Sequence, residues 1–208
     1  MKLAHHPDTA TLLSLSAGTA SESLTAVMMA HLELCPECHR ARSTLDAIGG
    51  ALFDDCKPAP LSFGPQEALT DRDLIEAPFA PFGEPVDGFL MDPLEAMPWM
   101  PRCLMARLAC AGEIPKWSGP VDGVRTIAVP LRWRMHGVLE LWEAAPGASL
   151  PQQPTRTNEA AVVLAGTLQD GFAQYGPGDF MEFARGSNER PTVRSSEPCV
   201  CLVSADCP

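Results

Sequence analysis

His31, Cys35 and Cys38 follow one another in an H-x3-C-x2-C spacing at the end of an apolar-periodic run. On a helix, residues four apart lie on one face, one turn from each other. Pro36 fits the first position of a new helix, with Cys35 just before it. Cys38 then points back toward the same spot. One imidazole and two thiolates converging on the volume of one ion suit tetrahedral Zn2+. The fourth ligand lies upstream, at His5 or His6, just before Asp8-Thr9, where a first helix can begin. His6 is favoured, because it abuts the helix start and can be held rigidly against a helical hairpin. Two other readings exist: free cysteines packed as small apolar fillers beside a satisfied histidine, and a redox dithiol. The placement of His31 favours zinc over both.

The elements that must carry these residues are three helices. Ala10, Leu12, Leu13 and Ala17 give a short helical pattern over 9–17, stopped by Gly18. Thr19-Ala-Ser-Glu22 fits a capping box for a second helix. Leu24, Val27, Met28, His31, Leu32 and Cys35 then form an i, i+3, i+4 stripe, so the ligands continue a buried face. A third helix opening at Pro36 sets Cys38, Ala41, Leu45, Ile48, Leu52 and Cys56 along a narrow packing seam. Gly49-Gly50 interrupts that seam, as a tolerated kink or as a place where a partner helix comes close. Three short helices bury little surface, and zinc supplies stability on the order of 10 kcal/mol in small zinc peptides.

These residues resemble a known family. His6, His31, Cys35 and Cys38, followed by a long helix, are similar to the zinc-binding anti-sigma domain of the ChrR-type anti-sigma factors, which carry a cupin domain after it. The resemblance runs on through Leu45-Asp-Ala-Ile-Gly-Gly-Ala-Leu52 and into the C-terminal half. It implies that His6, His31, Cys35 and Cys38 hold one zinc ion. It also implies that the helical domain binds an extracytoplasmic-function-type sigma factor one to one and hides its polymerase-binding surfaces. The stimulus for release is, in the family, oxidative.

The rest of the chain fits two domains. Of the 21 prolines, nine lie between Pro58 and Pro101, where regular elements must be short. Residues 58–101 also carry eight acidic groups and one Arg, most of the net charge of −11. One helix can form at 66–77, with Glu67, Asp71, Asp73 and Glu76 facing either solvent or a basic partner surface. From Cys103 onward short β-type runs alternate with Gly/Pro turns, which reads as a sandwich or barrel. The expected fold is α+β: a zinc-stabilised helical domain over 1–85, a Pro-rich acidic linker over 86–101 and an antiparallel cupin-like β-barrel or jelly roll over 102–208.

In that second half, Gly147-x5-Gln153-x-Thr155-x3-Glu159-x6-Gly166 and Tyr175-Gly-Pro-Gly-Asp-Phe180 resemble the two cupin motifs. The glycine frame and the Glu match. Gln153 and Thr155 replace the first two histidine ligands, and Arg190 lies near the third; His136 is the only histidine after residue 39. A three-histidine metal site cannot be built there, so this domain is expected to be metal-free. Glu159 and Arg190 can form an ion pair in place of the metal, or the emptied barrel can take a small organic molecule. Cys199 and Cys201 share one strand face and are expected to pack rather than bond.

Composition excludes other classes. The net charge of −11 argues against a nucleic-acid or anionic-membrane partner. No secretory segment and no run of about 18 apolar residues is present, which points to a cytoplasmic protein with reduced cysteines. The expected function is that of an anti-sigma factor and not an enzyme. The rivals are a cupin isomerase, lyase or dioxygenase with a zinc-binding appendage, and a zinc-finger nucleic-acid binder.

Overall fold

A computed structural model describes residues 3–59, 100–102, 104, 116–131, 137–151, 159–171, 173–183 and 190–205. The expected helix at 66–77, the acidic linker residues, Gln153, Thr155, Cys103, Cys110 and Cys207 lie outside them. Three helices come first: α1 (Thr9–Ser16), α2 (Glu22–Leu34) and α3 (Pro36–Asp54). Asp8 caps α1 by accepting the Thr11 amide. The cap of α2 differs from the capping-box expectation. Ser21, not Thr19, holds the N-cap and accepts the Leu24 amide, while the Thr19 hydroxyl donates to the Ser14 carbonyl. Ser is as good a cap as Thr and stands next to the first helical residue, and Gly18, at φ 69°, turns the chain into the connection ahead of it.

Among the described residues, eight antiparallel strands follow in two sheets. The larger has the order β1 (Val124–Ala128), β2 (Val138–Ala144), β8 (Cys199–Ala205), β3 (Glu159–Ala165), β6 (Phe180–Phe183). The smaller has the order β5 (Ala173–Tyr175), β4 (Leu168–Asp170), β7 (Thr192–Val193). The fold is thus α+β, helices first and an antiparallel two-sheet unit after.

Residue alternation shows how the layers stack. Leu139, Leu141, Ala160, Val162, Leu164, Val200 and Leu202 share a core with Leu12, Leu15, Val27, Met28 and Leu32 of the helices. Trp142, Ala144, Ala161, Val163, Cys199, Cys201 and Val203 share a second core with Leu168 and Val193 of the small sheet. The five-stranded sheet is therefore covered on both faces, by α2 on one and by the small sheet on the other. A strand buried on both faces loses the polar/apolar alternation. That is why central β8 reads as the continuous run Cys-Val-Cys-Leu-Val, with every residue buried.

The end of the linker and the residues just after it also enter this interface. Met100 and Leu104 are buried in the helix–sheet core, and the Arg102 amide donates to Glu33 at 2.9 Å. At the other end of the sequence, residues 3–6 run beside edge strand β6, where the Phe180 amide donates to the His5 carbonyl at 3.1 Å. Covering an edge this way blocks pairing with other chains. Among the described residues no helix is long and apolar enough to cross a membrane.

Candidate metal centre

Cys35 sits at the bend between two helices and serves both. Its extended backbone (φ −116°, ψ 97°) ends α2 and begins α3. Its amide donates to the His31 carbonyl, and its sulfur accepts the Cys38 amide at 3.4 Å. Pro36 at the first position of α3 lacks an amide that would have no partner there. The turn that H-x3-C-P-x-C encodes therefore brings His31, Cys35 and Cys38 together with little freedom left.

The N-terminal arm supplies the fourth group. His6 Nδ1 lies 3.4 Å from the Cys35 sulfur and 3.3 Å from the Cys38 sulfur. One ligand atom from each of His6, His31, Cys35 and Cys38 falls within 4.8 Å of all the others. A tetrahedron with metal–sulfur bonds of about 2.3 Å and metal–nitrogen bonds of about 2.0 Å has N···S edges of roughly 3.5 Å. The two His6 distances match those edges, and all the ligand atoms lie within 4.8 Å of one another. His5, the other candidate, points elsewhere: its ring lies tilted at 40° to that of Tyr175, centroids 4.3 Å apart, and its Nε2 donates to the Gln174 carbonyl.

The second histidine carries an internal test of metal fit. His31 is fully buried, and its Nδ1 lies 2.7 Å from the Gly178 carbonyl. A carbonyl only accepts, so Nδ1 carries the proton and the Nε2 lone pair is left over. That Nε2 is buried and has no hydrogen-bond partner among the described residues, a costly state for a polar atom unless a ligand meets it. Burial above all pushes the His31 imidazole below its ordinary pKa, which keeps it neutral, as a ligand must be. For Cys38, burial, the hydrogen bond to Cys35 and that neighbour's charge push the thiol up to about 12. A divalent cation reverses this last effect, since a coordinating thiol is deprotonated outright. The donor set thus fits a metal held by two neutral imidazoles and two thiolates. Three groups are buried and only His6 is exposed, which leaves a path for the ion.

Around the cluster stand residues whose role the sequence did not reveal. Asp179, buried at 6% exposure, accepts the Ala4 and His5 amides on Oδ1 at 2.8 and 3.0 Å, and the Gly176 amide on Oδ2 at 2.9 Å. The Gly-Pro-Gly-Asp turn was legible as a turn. Its contacts span 174 and 175 residues of sequence, and no local pattern announces them.

The second half is arranged differently. Glu159 opens β3, opposite Phe183 and Ala205. Arg190 is exposed and lines a cavity of about 470 Å³ with Ser118, Asp122, Thr126, Ser149 and Leu150. Cys199 and Cys201 are buried as free thiols with sulfurs 3.8 Å apart.

No family model matches the chain. The anti-sigma-E factor ChrR of Cereibacter sphaeroides is 28% identical over 211 residues, covering 100% of this chain and 92% of that protein. Among solved structures, ChrR in the crystal structure of Rhodobacter sphaeroides SigE with the anti-sigma ChrR matches at TM-score 0.74 and 25% identity. That match covers 99% of this chain and 100% of the other. An RmlC-like cupin from Shewanella frigidimarina aligns with 46% of this chain at 11% identity and TM-score 0.39. The resemblance that the ligand motif carries thus extends over the helical and sheet layers alike.

Proposed function

We propose that this chain is an anti-sigma factor that binds and inhibits an extracytoplasmic-function-type sigma factor through its helical layer, in a 1:1 complex. The observation that carries the reading is the shape of α3. Its root is fixed by the His/Cys cluster, and its outer half leaves the protein's own core. The seam expected along this helix is buried only at Cys38 and half-buried at Leu45; Ile48, Leu52 and Phe53 are 53%, 65% and 77% exposed. A side chain added at Gly49 or Gly50 would meet nothing within 4 Å. An apolar helix face with small residues, uncovered among the described residues, suits the helix-in-groove mode of partner binding. The relative bound to SigE supplies the class of partner.

In this reading His6, His31, Cys35 and Cys38 hold one Zn2+, which fixes the angle between α2 and α3. The helical domain corresponds to residues 1–85, the acidic linker to 86–101 and the cupin-like domain to 102–208. In the sequence motif Gln153 and Thr155 replace the first two histidine ligands, Glu159 is kept and Arg190 lies near the third, and in this reading the second domain is metal-free. It acts as a sensor or transmitter of an oxidative signal, and its cavity is the place for a small organic ligand. The protein works in the cytoplasm as a binding protein and not an enzyme.

The test is co-purification with the sigma factors of the same organism, followed by transcription with purified polymerase. One sigma factor should be retained and its promoter silenced, with release on oxidant treatment. A protein that retains no sigma factor, or turns over a substrate unaided, sinks the reading.

A further inference from the structure

The sheet domain reaches the metal centre from two sides through a single turn. Gly178 accepts the Nδ1 proton of His31, the ligand on α2. Its neighbour Asp179 holds the amides of Ala4 and His5, immediately before the ligand His6. The backbone ties the same turn to β3, since the Gly178 amide donates to the Val163 carbonyl and the Val163 amide to that of Asp179. Gly178 has φ 93°, and a side chain there would come within 2.7 Å of the Leu3 side chain. Leu3 is thereby packed onto the turn and anchors the arm, at 7% exposure.

We infer that Gly178 and Asp179 are positioning residues of the metal centre, so that metal affinity and docking of the helical layer on the sheet are reciprocally linked. This rests on the reading of the His/Cys cluster as a metal site. Two of its four ligands are preset by the sheet, through a ring hydrogen bond that fixes the tautomer and a carboxylate that fixes the arm. Partners of this kind tune metal affinity by about 10- to 100-fold. Coupling between sites works in both directions. A displacement of the turn from within the sheet loosens the metal, and loss of the metal frees the arm and α2 from the sheet. The linkage gives the cupin-like domain a route to the helices with no need of a metal of its own.

The experiment uses the full chain. Zinc affinity is measured by chelator competition for the wild type and for Asp179→Ala, Leu3→Ala and Asp179→Asn, with the absorption of the cobalt-loaded proteins recorded in parallel. Asp179→Ala and Leu3→Ala should each weaken binding by about 10-fold or more and alter the cobalt spectrum. Asp179→Asn keeps an oxygen for the two arm amides and should retain most of the affinity. Chelating the wild type should speed hydrogen exchange at Ala4, His5 and Phe180. Wild-type affinity in Leu3→Ala, or Asp179→Asn as weak as Asp179→Ala, overturns the linkage. A wild type that binds no zinc overturns the underlying reading instead.

Discussion

The helical layer and the sheet layer hold themselves together by different means. The five-stranded sheet has a core on each face, and its central strand β8 has every residue buried. The helical layer has one covered face. Of the 19 residues of α3 only Cys38 is buried, so its order comes from the cluster at its root and from its packing against α1 and α2. Apolar area secures the sheet and the face of α2 that packs on it, whereas the root of α3 depends on a few directional bonds. The first kind of order tolerates substitution and the second does not. Under the proposed function, a binding surface that must be released on a signal is well placed on the second.

The sharpest test of this contrast is Cys35→Ser, which removes a metal ligand and alters the atom that caps α3. Metal-coupled stability on the order of 10 kcal/mol is at stake. The helices should become protease-sensitive and zinc should be lost, while the strand signal in circular dichroism persists. Next in size is Leu202→Ala in β8, at 0% exposure, which should cost about 2–5 kcal/mol in denaturant titration. Because Leu202 shares a core with Val27 and Met28, its loss should lower the stability of both layers. Stability lost from the sheet alone would show the layers to be independent. Leu52→Asp changes an exposed side chain and should leave stability within about 0.5 kcal/mol, yet weaken the proposed sigma factor complex at least about tenfold in titration calorimetry. Smallest is Gly50→Ala. Alone it should stabilise α3 by about 1 kcal/mol; if a partner backbone approaches this face, the same methyl group should weaken the complex. Equal affinity would make the glycine pair a feature of the helix only.

Much of this organisation was legible in the sequence, for physical reasons that differ by element. The order of three helices followed by short strands follows from hydrophobic periodicity, and H-x3-C-P-x-C is local enough that spacing alone implies its geometry. His6 was harder, since choosing it over His5 depends on where the arm runs, and that is set by Asp179 far along the chain. The α3 stripe reads as a packing seam that need not all be internal. Periodicity reports that a face is apolar and does not say whether the same chain covers it. The docking of α2 on the sheet was not visible either, because β8 carries the same run of apolar residues whether its second face meets another sheet or helices.

Cys35 gives α3 a mechanical character. At 1.5 Å per residue, a helix of 19 residues is a rod about 28 Å long, and the Cys35 sulfur stands at its root. A tilt of about 10° at that sulfur carries the far end through roughly 5 Å over such a length, comparable with one turn of helix. A change of tenths of an ångström around the cluster therefore arrives at Leu52 and Phe53 magnified to the scale of a whole side chain.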